Sequence, residues 1–219
     1  MDYDSTPPDS LLSLAALRLA QQTPWKAVNE MERLLLLPLA RLQCALAGVE
    51  WGAGWRLYGL PIIQRHRRST LIIGPGLSLR STARSNPLGA SHPVILSTRR
   101  PGAALRIGAD FGMTGGSIVA EEAITIGDRV MVGANCVISD TDFHPLDAAL
   151  RQRAPHAGAT APIVIEDDVF IGMHCLILKG VTIGAGSVIG AGSVVTRAIP
   201  PGVIAAGNPA RVIRALAAG

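Results

Sequence analysis

From Ile165 to about Pro200 the inward-type apolar positions recur every six residues: Ile165, Ile171, Ile177, Ile183, Ile189 and Val195. Four places after each stand Val169, Cys175, Val181, Ser187, Ser193 and Ile199, all small or apolar, and glycine often follows the leading aliphatic, as at Gly172, Gly184 and Gly190. A helix repeats at about 3.6 residues and an isolated strand at about 2, so neither accounts for this spacing. A hexapeptide repeat signals a parallel β-helix, each six residues making one short strand and one corner. Three units close a triangular coil of roughly eighteen residues, and successive coils stack about 4.8 Å apart. The leading aliphatic points inward. Only a small side chain fits near each corner, where Gly, Asn or Asp relieves turns of unusual backbone angle.

The frame also runs weakly from Ile107-Gly108 and then through Thr114, Ala120, Ile126, Val132 and Ile138, with Ile118, Ile124, Val130 and Cys136 in the fourth-place slots. The first repeat-like turn starts at Ser69–Gly74. Two intervals break the pattern: 80–104, rich in proline and glycine, and 139–162. Upstream, residues 9–22 and 26–47 read as helices; Asp9 can cap the first, Thr23-Pro24 opens the second, and Pro38 marks a kink or break. The chain is therefore expected to divide into a helical N-terminal cap (1–60), the β-helix with its two excursions (61–207), and a C-terminal tail with a short helix (208–219). A cap is expected because the bare end of a β-helix exposes a sheet edge. The alternative for the same segment is an amphipathic contact with a membrane surface, helped by Arg18, Arg33 and Arg41.

Hydrophobic content of 48% with only 16% charged residues suits a β-helix, whose interior and oligomer faces are both apolar. A net charge of +4 favours anionic ligands, but 4% aromatics and no clustered basic–aromatic pattern argue against nucleic acid. Cys44, Cys136 and Cys175 form no CxxC or even-numbered framework, which fits core packing in a reducing compartment. The acidic start (Asp2, Asp4, Asp9) and Arg18 argue against a secretory signal, and no stretch approaches the roughly twenty apolar residues of a membrane span. A cytoplasmic protein, or one peripheral at the inner membrane face, is expected.

The second interruption reads Ser139-Asp-Thr-Asp-Phe-His144-Pro145-Leu-Asp147. Polar loops on rigid scaffolds are where sites are built. His144 is the first choice for a general base, since a neutral imidazole can take a proton near neutral pH. Asp140 and Asp142 stand close enough in sequence to orient the ring or stabilise the imidazolium. Gly184–Gly190 superficially resembles a dinucleotide loop but lacks a strand–turn–helix setting.

That loop, the resumed hexads, Ile-Gly-Ala-Gly-Ser-Val-Val and Ala-Gly-Asn-Pro-Ala-Arg together resemble the maltose, galactoside and polysaccharide O-acetyltransferases of the hexapeptide-repeat family, over roughly 105–215. The resemblance implies a left-handed coil and a homotrimer with sites between neighbours. It also implies acetyl-CoA as acyl donor, and a sugar or polysaccharide-precursor hydroxyl as acceptor. It makes His144 the base that deprotonates the acceptor, with Thr114 or Ser117 holding substrate or oxyanion, where the sugar enzymes carry Asn. Phe170 falls beside the acyl-donor arm. Met173 and Ala191 match amide contacts, and Arg197 and Arg211 match phosphate contacts, with Lys179 and Arg214 as further cations. No metal is expected. γ-Class carbonic anhydrases share the scaffold, but the five histidines include no pair at the short spacing those enzymes use. Serine or amino-sugar acylation, a metal-dependent hydratase and a non-catalytic β-helix remain the alternatives.

Overall fold

The computed structural model describes residues 20–216. The expected helix over 9–22 lies outside the described residues except for 20–22, which are helical. The first long element is α1 (Pro24–Leu46), which runs uninterrupted through Pro38. It covers the open end of the strand stack. Asn29, Ala40 and Cys44 are buried, the Tyr58 hydroxyl donates to Glu30 at 2.5 Å, and the Gln43 amide donates to the Pro61 carbonyl at 2.6 Å.

Beyond α1 the chain winds in coils, each giving one strand to each of three sheets. The first coil is β1 (Arg56–Tyr58), β2 (Ile62–Arg65) and β3 (Thr70–Ile73); the second is β4 (Ser78–Arg80), β5 (Ile95–Thr98) and β6 (Ala104–Ile107). The third is β7 (Gly112–Thr114), β8 (Ser117–Ala120) and β9 (Ala123–Ile126); the fourth is β10 (Met131–Val132), β11 (Val137–Ser139) and β12 (Ile163–Ile165). Then come β13 (Phe170–Ile171), β14 (Leu176–Ile177), β15 (Thr182–Ile183), β16 (Val188–Ile189) and β17 (Val194–Val195). Within these coils each strand pairs in parallel with the strand one coil away, as Ile124 does with Leu105 and Ile163. This is a three-sided parallel β-helix.

The six-residue frame explains the core. Ile171, Ile177, Ile183, Ile189 and Val195 are fully buried. Each such side chain contributes about 1.5–3 kcal/mol on leaving water. Where a fourth-place slot carries Cys or Ser, its side chain also supplies a donor to a backbone carbonyl. Cys136 Sγ donates to the Gly172 carbonyl at 3.0 Å, Cys175 Sγ to Gly190 at 3.2 Å, and Ser187 Oγ to Pro200 at 2.7 Å.

Two expectations are corrected. The proline-rich interval 80–104 is not a continuous excursion: β5 lies inside it and pairs with β2 and β8, so the detour shortens to the residues between β4 and β5. Among its described residues the C-terminal tail is not helical either. After β18 (Val203–Gly207), which extends the first sheet, residues Ala210–Ala215 return as β19, antiparallel to it. A chain rich in β-branched residues (Val212, Ile213) beside an open sheet edge pairs with that edge instead of coiling.

Candidate active site

The loop between β11 and β12 leaves the corner joining the second and third sheets. Its stem is tied by an antiparallel bridge between Thr141 and Thr160, and by the Asp142 amide donating to the Ala159 carbonyl at 3.0 Å. Phe143 takes a left-handed backbone (φ 60), with its amide on Thr141 Oγ1 at 2.9 Å. After Pro145, Asp147 caps α2 (Ala148–Arg153) by accepting from the Leu150 amide at 2.7 Å. Arg151 of that helix reaches back to the Pro145 carbonyl at 2.8 Å. The chain leaving α2 brings the Pro155 carbonyl to the His144 ring.

That last contact sets the chemistry. His144 Nδ1 lies 2.5 Å from the Pro155 carbonyl oxygen. A carbonyl can only accept, so Nδ1 carries the proton and Nε2 of the neutral ring holds the free lone pair. The ring lines a cleft of about 330 Å³ with Phe143, His156, Arg99, Arg100 and Glu121. Glu121, whose side chain is only 7% exposed, is clamped by Arg100 at 2.6 Å, Arg99 at 3.3 Å and the Thr141 hydroxyl at 3.0 Å. Arg100 also donates to the His156 carbonyl at 2.9 Å, and the Arg99 guanidinium lies over the Phe143 ring at 5.7 Å.

The two aspartates do not orient the imidazole within this chain. Asp140 is fully buried and accepts from the amides of Glu121 at 2.7 Å and Glu122 at 2.8 Å. Burial raises its pKa above the ordinary value, against those amide bonds, which lower it. Asp140 therefore fixes the corner that carries Glu121. The Asp142 carboxylate is 3.3 Å from Lys179 Nζ, so that lysine is paired within the loop stem.

The remaining candidates divide between places. Arg197 is exposed on the same corner as His144, whereas Arg211 and Arg214 lie on β19 at the far end of the first sheet. Thr114, Ser117, Met173 and Ala191 lie at or beside the corner joining the first and second sheets, on the opposite edge of the second sheet from His144, and Phe170 approaches that corner along β13. Thr114 is buried and accepts from Asn86 Nδ2 at 3.0 Å. Asn135, at the same corner, accepts from the Ser91 amide at 2.8 Å, so the detour between β4 and β5 is laced to this edge.

Sequence reasoning missed Pro155, His156, Arg99, Arg100 and Glu121. The signal for the arginines was two consecutive cations at a coil corner, but their partner belongs to the next coil. Among the described residues no group of three or more His, Cys, Asp and Glu side chains is placed to hold a metal ion.

Comparison with known proteins agrees with this architecture. Residues 162–197 match the family described as bacterial transferase hexapeptide (six repeats), and residues 123–139 match the hexapeptide repeat of succinyl-transferase. The galactoside O-acetyltransferase of Escherichia coli (strain K12) is 45% identical over 106 residues, covering 48% of this chain and 49% of that protein. A galactoside acetyltransferase solved in complex with coenzyme A is similar at 38% identity and a TM-score of 0.51, covering 64% of each chain. A hexapeptide-repeat acetyltransferase from Vibrio cholerae O1 biovar eltor, complexed with acetyl coenzyme A, covers 95% of this chain and 93% of its own at 25% identity and a TM-score of 0.50. The chain spans about half the length of the curated relatives it matches. Its repeats are those of the bacterial hexapeptide transferases, and in sequence and fold it resembles the hexapeptide-repeat acyltransferases.

Proposed function

We propose that this protein is an acetyl-CoA-dependent O-acetyltransferase that acts on a hydroxyl of a sugar or polysaccharide precursor, with His144 as general base. The observation that carries the reading is the Nδ1 contact to Pro155, which leaves Nε2 as a proton acceptor in an open cleft. Nε2 takes the acceptor hydroxyl proton as the oxygen attacks the thioester carbonyl carbon. The tetrahedral adduct collapses with cleavage of the carbon–sulfur bond, and the imidazolium returns its proton to the departing thiolate. Products are an acetyl ester and free coenzyme A, with no acyl-enzyme. Such base catalysis supplies on the order of 10²–10⁴ in rate.

Thr114 or Ser117 is assigned to the acceptor or oxyanion, with the Asn86 amide on Thr114 as support. Phe170, Met173, Ala191, Arg197, Arg211 and Arg214 are assigned to coenzyme A. Lys179, held by Asp142, is the least available of these cations. The split of the candidates across two edges of the second sheet supports a homotrimer in which the His144 corner of one copy faces the Thr114 corner of the next. Left-handed winding belongs to the same reading and rests on the resemblance to hexapeptide acyltransferases. The helical segment before residue 60 is read as the cap. Its exposed stripe of Trp25, Val28, Met31, Leu35, Leu39 and Leu42 supports peripheral contact with a membrane surface. No helix among the described residues is long and apolar enough to cross one.

The test is to incubate the protein with acetyl-CoA and a panel of sugars, nucleotide sugars and serine, following thiol release by a dye and product mass. One acetyl ester per thiol, with no acetylated protein at any time point, is expected. A thiol-free reaction, or an acetylated protein intermediate, contradicts the reading.

A further inference from the structure

A second and larger cavity, of about 810 Å³, opens between the C-terminal half of α1 and the second sheet. Its apolar wall is Leu39, Leu42, Leu46, Leu60 and Ile63. Three of these leucines remain largely in water: Leu39 is 48% exposed, Leu42 54% and Leu46 80%. An apolar groove left open this way calls for an occupant.

Arg99 lines both this groove and the His144 cleft. The side chain is half exposed, and among the described residues it makes one hydrogen bond, from Nε to Glu121, besides lying over Phe143. Its terminal nitrogens are left to face a ligand. One coil below, Arg67 and Arg68 are exposed on the same corner, so positive charge continues away from the cleft along the groove. The corner bearing Arg68 lies two coil steps below that of Glu121, a distance of about 10 Å.

These features form a sequence in space: an imidazole cleft, a guanidinium with free donors, then an apolar groove. Resting on the acetyltransferase reading above, we infer that the acceptor is a sugar joined through phosphate to an apolar chain. The sugar lies at His144, the phosphate at Arg99, and the chain lies between α1 and the second sheet. Arginine suits the phosphate because its donors match the oxygens in pairs.

The test compares acceptors built on the same sugar in three forms: the free sugar, its 1-phosphate, and its farnesyl phosphodiester, for galactose, glucose and N-acetylglucosamine. The expected kcat/KM rises by about tenfold or more at each addition, for one of the sugars. Arg99→Gln is expected to abolish the phosphate step, and Leu42→Gln to bring the farnesyl-to-phosphate ratio near one. Leu42 is exposed, so the variant is expected to fold. Calorimetric binding of farnesyl phosphate gives a readout independent of turnover, and both substitutions are expected to weaken it. Equal kcat/KM for all three forms, or no farnesyl phosphate binding, overturns this inference and leaves the acetyltransferase reading standing. A groove covered by a second copy of the chain, seen as dissociation of an oligomer by Leu42→Gln with no farnesyl gain, also overturns it. Absence of acetyl transfer to any form, with farnesyl phosphate still bound, contradicts the acetyltransferase reading instead.

Discussion

At Gly158 the loop that carries His144 leaves no room for a side chain. A Cβ there would stand 2.5 Å from the Phe143 carbonyl carbon and 2.7 Å from the His144 amide nitrogen. Gly158→Ala must therefore push the imidazole-bearing backbone aside while the buried coils stay intact. Misplacing a catalytic group by about 1 Å costs up to a hundredfold in rate, so kcat should fall tenfold to a hundredfold, with a melting temperature only a few degrees lower. Steady-state thiol release and thermal melting check the pair of outcomes. Asp140 acts on stability instead. Replacing it with Asn turns an NH₂ group toward one of the two amides it now satisfies, a loss of about 1–3 kcal/mol by urea denaturation. Its raised folded pKa also fixes a sign. The contribution of the protonated form is complete below the ordinary carboxylate value of about 4 and is lost as pH rises through the raised value. The stability gap between the wild type and Asp140→Asn should therefore narrow with rising pH across that window. A gap that widens contradicts this account of the carboxyl.

Among the elements, the short strands of the last coils are those that can be read from the sequence with least ambiguity. Each turn places one β-branched side chain inward, and truncating a fully buried one leaves a hole that stacked neighbours cannot close. Ile177→Ala should cost about 2–5 kcal/mol, whereas the half-exposed Leu176 beside it should cost well under that when changed to Ala. Strand β5 was hidden for a physical reason. Its register comes from Ile63 below and Ile118 above, which hold Leu96 between them, and not from any hexad of its own. The strand β19 was hidden similarly, since an open sheet edge decides its pairing. For the candidate site, His144 could be proposed because its loop interrupts a regular repeat and resembles that of the sugar O-acetyltransferases. The groups that set the ring could not. The carbonyl of Pro155 is a backbone atom, and the Arg100 and Glu121 pair meets across a coil step that no local pattern records. The aspartates were legible as residues but not in role, because sequence proximity to His144 says nothing about which way a buried carboxylate turns.

For the whole molecule, the proposed assignment of candidates to two edges of one sheet gives a single copy two half-sites. Inactive variants should then complement each other. Mixing His144→Ala with Ala191→Trp, one on each edge, after joint unfolding and refolding should restore roughly a quarter of wild-type thiol release, from random pairing of edges in closed oligomers. Each variant refolded alone should stay inactive, and a mixture no better than its parts would place the complete site within one chain. The central claim is narrower and can be tested in a single comparison: Nε2 of His144 removes the acceptor proton. The direct measurement is thiol release from acetyl-CoA at saturating acceptor, wild type beside His144→Ala. A loss of about 10²-fold or more in kcat, with coenzyme A affinity unchanged by calorimetry, is the predicted result. Equal rates in the two proteins would contradict it.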